Sequence, residues 1–324
     1  MDEPGSLAPK IRAELGACSL GDWPTPIEAA NSLAAQCGLD ALWLKREDRS
    51  SPLYGGNKVR GLEFLLAGAV PGTVFVTVGG TGSTHCLATA VHAARLSCAA
   101  VLAQFPQPET DISREIAAAC ERAAARIRRA PAIALLPVAV AGAWITARRR
   151  GPARWIPGGG AHPRGVVGQV LGGLELASQL STPPDAIVTP LGSGGTAAGL
   201  TMAMAMLRWP TRVVGVRVAS SVVANRWRVD SLASGGARLL EKMGVIVPRP
   251  APLVIRNGLG QGYGHPSAEG EAARARAARV GLELDPTYSG KAFAAVSGAL
   301  GREFRRIVFW HTFARPTYAP GSVG

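Results

Sequence analysis

The stretch Thr73-Val-Phe-Val-Thr-Val78 runs directly into Gly79-Gly-Thr-Gly-Ser-Thr84. An unbroken apolar strand, as opposed to an alternating one, belongs to a parallel sheet buried on both faces. The residues after the turn continue as a helix through Ala94, which supplies a cover for one of those faces. The same unit returns further on, where Ala186-Ile-Val-Thr189 leads through Gly192-Ser-Gly-Gly-Thr196 into a helix reaching Leu207. Two strand–glycine turn–helix units in one chain predict an α/β fold with mostly parallel sheets flanked by helices.

The rest of the chain reads outward from these units. Pro26 to Cys37 has helical spacing, and Ala41-Leu-Trp-Leu-Lys45 reads as a strand. A helix is predicted to start at Asn57, a favourable N-cap residue, with Val59, Leu62, Leu65 and Leu66 facing inward. Strands are expected at Cys98–Ala103, Ile133–Val138 and Arg212–Val218, with helices at Thr110–Arg126, Ala141–Arg150 and Val166–Gln179. Pro137 makes Ile133–Val138 an edge strand on this reading. The glycines Gly158-Gly-Gly160 and Pro163 break the chain and place a hinge near Trp155–Arg164.

Composition narrows the class. Hydrophobic residues make up 47% of 324 positions and glycine contributes 40, which suits a packed α/β protein with many tight turns. The formal charge of +13 comes mostly from arginine and is not accompanied by zinc-finger, RNP or basic-heptad patterns, so nucleic acid is not an expected partner. The five cysteines contain no CxxC pair and fit a reducing, cytoplasmic setting; no metal site is expected. Ala130 to Ala147 is uncharged, but it is shorter than the roughly 20 residues of a membrane span and contains Pro131 and Pro137. A buried strand followed by a helix is the expectation there, with no membrane partner. The N-terminus is acidic and lacks the apolar core of a signal peptide.

Chemistry concentrates at the carboxyl ends of the predicted strands, where open α/β sheets bind ligands. Leu191-Gly-Ser-Gly-Gly-Thr-Ala-Ala-Gly199 suits a phosphate. Its glycines let backbone approach the oxygens, Ser193 and Thr196 offer hydroxyls, and the following helix presents unpaired N–H groups. It lacks the Gly-Lys-Ser/Thr ending of a Walker A loop. Gly79-Gly-Thr-Gly-Ser-Thr-His85 can hold a carboxylate by the same physics, although Ser and Thr also serve there as ordinary helix caps. Gly258 to Gly264 imitates a dinucleotide turn, but Tyr263 occupies the sixth position and breaks the pattern. Lys58 stands at a helix start, where the positive end of the dipole opposes its charge, which points to a role such as imine formation.

Taken together, these stretches resemble the fold-type II pyridoxal phosphate (PLP) enzymes of the tryptophan synthase β group. Within them the chain is most similar to the D-cysteine desulfhydrase/1-aminocyclopropane-1-carboxylate deaminase branch. Trp43-Leu-Lys-Arg-Glu-Asp48 and Gly55-Gly-Asn-Lys-Val-Arg60 carry the cofactor-lysine signature. Ile156-Pro-Gly-Gly-Gly160, Gly192 to Gly199, Gly262-Tyr-Gly264 and Leu284 to Ala292 extend the resemblance to His311-Thr312.

The resemblance implies that Lys58 carries PLP and moves the substrate Cα proton, with Ser83, Tyr263 and Tyr288 as further catalytic groups. It assigns Gly192, Ser193, Gly194, Gly195 and Thr196 to the phosphate, Thr312 and Thr84 to the cofactor ring, and Gly82, Ser83, Thr84 and His85 to substrate. It further implies a homodimer and two domains, residues 1–61 with 155–324 forming the larger and 62–154 the smaller. The implied activity is β-elimination from a small amino acid, with D-cysteine or a D-configured analogue as the family default. The alternatives are β-replacement or a catalytically impaired PLP-binding protein.

Five positions depart from the family pattern. Thr84 stands where the family has asparagine, Gly61 where it has a phosphate-holding lysine, and Phe313-Ala314 where it has Gly-Gly. Ser289 follows Tyr288 where deaminase members carry glutamate, which favours the desulfhydrase-like group.

Overall fold

The computed structural model describes residues 4–316. Within these residues ten strands form two sheets. They are β1 (Ile27–Ala29), β2 (Ala41–Arg46), β3 (Val74–Gly80), β4 (Ala99–Phe105), β5 (Arg126–Arg129), β6 (Ala153–Trp155), β7 (Ala186–Leu191), β8 (Arg212–Arg217), β9 (Leu253–Asn257) and β10 (Arg306–His311). The larger sheet has the order β1-β2-β10-β7-β8-β9 and the smaller β5-β4-β3-β6. Every pairing is parallel except β1 with β2, so the α/β architecture with helix-covered parallel sheets is as the sequence predicts.

Burial explains the strands. Val74, Phe75 and Val76, Ala100 to Ala103, and Ile307 to Trp310 are all buried, because helices lie on both sheet faces. β10 enters between β2 and β7, with His311 opposite Arg46 and Phe309 opposite Val188. The carboxyl ends of β2, β10 and β7 therefore open on one edge, and the loops that follow them are brought together.

Helix Lys58–Leu65 packs on helix Pro163–Leu174 almost backbone to backbone. A Cβ on Gly168 would lie 2.0 Å from the Arg60 carbonyl oxygen, so only glycine permits this approach. The contact fixes the start of the Lys58 helix relative to the larger sheet.

Three predicted elements change. Ile133–Val138 is not a buried strand: Ile133–Leu135 is a 3-10 turn and Leu136–Arg148 a helix, with Ile133, Leu135 and Val138 exposed. Pro137 sits in the helix's first turn, where its missing N–H costs nothing and its φ is preset. The strand is instead the charged Arg126-Ile-Arg-Arg129, an edge strand paired only with β4, where arginines face solvent. Pro26–Cys37 divides into β1 and a helix at Asn31–Cys37, and Val166–Gln179 into Pro163–Leu174 and Leu176–Gln179. Among the described residues no helix is long and apolar enough to cross a membrane.

Candidate active site

Lys58 opens its helix after Tyr54-Gly-Gly-Asn57, with Gly56 at φ +101°. Asn57 holds the N-cap position but makes no capping bond, because its backbone is helical (φ −59°) and its side chain is turned elsewhere. Its Nδ2 donates to Thr196 Oγ1 at 2.8 Å, and its carbonyl accepts from Gln169 Nε2 at 2.7 Å. Asn57 thus ties the start of the lysine helix to the loop after β7.

A buried ionic cluster holds the same helix from behind. Arg60 Nε and Nη2 donate to Glu47 at 2.6 and 2.8 Å, and Nη1 and Nη2 donate to Glu175 at 2.8 Å each. Lys45 Nζ donates to Glu175 at 2.7 Å, to Gln179 Oε1 and to the Thr25 carbonyl. Two cations balance two carboxylates, and the donors are matched to acceptors as burial of charge demands. Among the described residues Lys58 has no such partner. Burial alone lowers its amine to about 8, within reach of the neutral, nucleophilic form.

Lys58 lines a cavity of about 450 Å³ that also receives the turns after β3, β7 and β10. Ser83 caps helix Thr84–Arg95, its Oγ accepting from Cys86 N. Ser83, Thr84 and His85 line the cavity at this helix mouth, whereas Gly82 lies behind it against Ser113. Gly82 has φ +90°, and a Cβ there would come within 2.6 Å of the Ser113 carbonyl oxygen.

Thr77 Oγ1 donates its one hydrogen to the Ile156 carbonyl and so must accept from His85 Nε2 at 2.9 Å. Burial lowers His85 to about 3, so the ring is neutral, with Nδ1 left as an unpartnered acceptor.

Gly192 to Thr196 line the cavity at the mouth of helix Gly195–Leu207, whose first-turn N–H groups have no partner within the helix. A Cβ on Gly195 would meet nothing closer than Ala161 Cα at 3.9 Å, so this cradle stays open only because side chains are missing. Thr312, immediately beyond β10, lines the same space, with Phe313 beside it.

Tyr263 and Tyr288 bring their hydroxyls to 2.5 Å from each other inside the cavity. Burial pushes Tyr263 up to about 12 and raises Tyr288 as well, so both hydroxyls are neutral at physiological pH. Tyr288 is set by Asp285, whose carboxylate accepts from the N–H groups of Thr287, Tyr288 and Ser289 at 2.7–2.9 Å. Ser289 Oγ also donates to Asp285, and Ser289 is fully buried outside the cavity lining.

Of the residues given catalytic, cofactor or substrate roles from the sequence, all line the cavity except Gly82; Gly61 and Ser289, noted as departures, lie outside its lining. Sequence reasoning missed the link from Asn57 to Thr196, the carboxylate of Asp285, and the apolar wall of Phe105, Ile133 and Leu136. Asp285 precedes Pro286 in a stretch already noted for Tyr288, and an Asp-Pro turn before a helix was the available signal. Among the described residues no group of three or more His, Cys, Asp or Glu side chains converges as for a metal.

The site fits PLP: one enclosed amine with a lowered proton affinity, and an open glycine cradle at a helix mouth about the same cavity. Comparison with known proteins agrees. A D-cysteine desulfhydrase of Serratia proteamaculans is 31% identical, with 90% of this chain and 92% of the relative covered. A nocardicin C-9′ epimerase of Nocardia uniformis subsp. tsuyamanensis is 32% identical, covering 89% and 90%. The crystal structure of an ACC deaminase homologue superposes with a TM-score of 0.81 at 31% identity over 94% of each chain. Residues 18–312 match the family described as "Pyridoxal-phosphate dependent enzyme", and the chain belongs to that family.

Proposed function

We propose that the protein is a lyase that removes the Cα proton of a small amino acid and expels its β-substituent, with D-cysteine the first substrate to test. The observation that carries this reading is the unpartnered amine of Lys58, lowered to about 8 by burial, in one cavity with the tyrosine pair. Bound PLP supplies an aldehyde for the amine and an electron sink for the Cα electrons.

On this reading the helix mouth at Ser83 and Thr84 binds the substrate carboxylate through its N–H groups and hydroxyls. Lys58 takes the Cα proton, and the neutral hydroxyls of Tyr263 and Tyr288 are placed to give a proton to the departing group. Ser289 in place of a carboxylate, turned onto Asp285, favours thiol elimination over ring-opening deamination. The names of the desulfhydrase relative and of the ACC deaminase homologue favour elimination over β-replacement and over a binding-only role. The proposal includes residues 62–154 as a smaller domain that closes on the remainder over this cavity. A cytoplasmic homodimer completes the proposal, and five unpaired thiols support the reducing compartment.

The test is the visible absorption of purified protein with PLP, titrated with D- and L-cysteine while sulfide is measured. A band that one enantiomer shifts, with sulfide released, supports the reading. A Lys58→Ala variant that keeps the same covalent band sinks it. The epimerase relative gives the same proton removal a second fate, return of a proton to Cα. Exchange of the Cα hydrogen with deuterium and inversion of recovered substrate, without sulfide, would decide for that reading.

A further inference from the structure

We propose that Arg228 is the cation that faces the phosphate of the bound cofactor. This rests on the reading of Gly192–Thr196 as the phosphate loop. A phosphate carries up to two negative charges into a partly enclosed site, and such charge needs a cation or several charge-assisted hydrogen bonds. Among the described residues only two basic side chains line the cavity, Lys58 and Arg228, apart from the neutral ring of His85. Lys58 is committed to the cofactor's aldehyde and becomes part of the covalent link.

Arg228 belongs to helix Arg226–Glu241, and its Nε donates to the carbonyl of Ser193 at 3.2 Å, inside the glycine loop itself. Among the described residues it pairs with no carboxylate. Its helix is fixed against the loop. Asn225 caps it by accepting from Arg228 N at 2.8 Å, and a Cβ on Gly194 would meet Val229 at 3.2 Å and Leu232 at 3.5 Å. The guanidinium therefore sits on the loop through a short, packed connection.

The opposite side of the loop offers the phosphate no cation. Gly61 has no side chain, and helix Pro163–Leu174 closes over it, with the Gly165 carbonyl 3.2 Å from where a Cβ would lie. What remains is a pocket of about 20 Å³ bordered by Lys58, Gly61, His85, Gln169 and Thr196. Its unpartnered polar atoms, Gln169 Oε1 and His85 Nδ1, are both acceptors. The space suits one water that donates to them, and no basic residue other than Lys58 borders it. Arg228 is thus the one cation besides Lys58 that the described residues place at the loop, adding charge to the N–H groups of the helix mouth.

The experiment compares dissociation constants for PLP and for pyridoxal, which lacks the phosphate, in wild type, Arg228→Ala and Arg228→Lys. A lost charge-assisted bond predicts that Arg228→Ala binds PLP about 10- to 100-fold more weakly. Pyridoxal binding is expected to stay within about 3-fold, Arg228→Lys to recover part of the loss, and the salt dependence of PLP binding to flatten in Arg228→Ala. Equal loss for both ligands, or unchanged PLP affinity, overturns the assignment while leaving the loop reading intact. Wild type that binds pyridoxal as tightly as PLP overturns the phosphate-loop reading itself, and Arg228's role with it.

Discussion

Replacing Arg60 by leucine probes the device that holds the Lys58 helix. The guanidinium makes five hydrogen bonds, to Glu47, Glu175 and Thr25, and lies 4.0 Å over the Trp23 ring. Without it, the fully buried Glu47 and the largely buried Glu175 share one cation, Lys45, and the balanced cluster carries a net negative charge. Removing one partner of a buried ionic group costs about 3–5 kcal/mol, mostly from the stranded charge. At a urea slope of about 2 kcal/mol/M, the unfolding midpoint falls by about 2 M. Arg60→Lys keeps the charge but loses the planar fork, so it falls between leucine and wild type. The double variant Arg60→Leu/Glu47→Leu removes the stranded carboxylate too and is expected to regain part of the loss. Burial pushes the Glu175 carboxyl up, but Arg60 and Lys45 outweigh it and its net shift is downward. Its contribution is therefore complete above the ordinary carboxylate range and is lost as pH falls through the lowered value, and Arg60→Leu flattens that acid limb. The assay is urea unfolding followed by circular dichroism at saturating PLP in every variant. A loss below about 1 kcal/mol in Arg60→Leu, or a double variant worse than the single, would refute the reasoning.

Covalent capture of PLP by the apoprotein requires neutral Lys58, so its rate should rise with pH through a midpoint near 8 and level off above it; stopped-flow absorbance measures this, and a midpoint near that of a solvent-exposed lysine contradicts the buried amine. Tyr288→Phe and Tyr263→Phe each remove half of the hydroxyl pair and should lower kcat about 10²–10⁴-fold with the cofactor band retained; a fall in PLP affinity without a fall in kcat assigns the rings to packing alone. Gly82→Ala places a Cβ within 2.6 Å of a backbone oxygen at φ +90°, so it should cost more than about 1 kcal/mol and raise KM for substrate, measured by thermal unfolding and steady-state kinetics.

Much of the site was legible because its parts are local. A buried apolar run, a glycine turn and a helix start are short-range signals, and each marks a strand's carboxyl end without reference to the rest of the chain. The Gly79 and Gly192 turns were read in this way, whereas Tyr263 and Tyr288, and the cofactor role of Lys58, came through the family resemblance of the stretches around them. The segment from Arg126 to Arg148 was misread for a complementary reason. Apolar content implied burial, but the helix at Leu136–Arg148 leaves Val138 and Ile145 exposed while an arginine-rich strand forms the sheet edge. Hydrophobicity reports a tendency to be buried; neighbouring elements decide whether there is anything to be buried against.

The sequence by itself determined the class of fold, the glycine turns and the kinds of chemical group at each. Only the tertiary structure decided their conjunction. Insertion of β10 between β2 and β7 brings Thr312 to the edge where Lys58 and the Gly192 loop already stand. Asn57 meets Thr196 across 139 positions, Arg60 meets Glu175 across 115, and the Tyr263 and Tyr288 hydroxyls meet across 25. No periodicity encodes such contacts, because they depend on the order of strands in a sheet and on how closely glycine faces let helices approach. The same packing lowers the proton affinity of Lys58, for a lysine's type is written in the sequence but its distance from water is not.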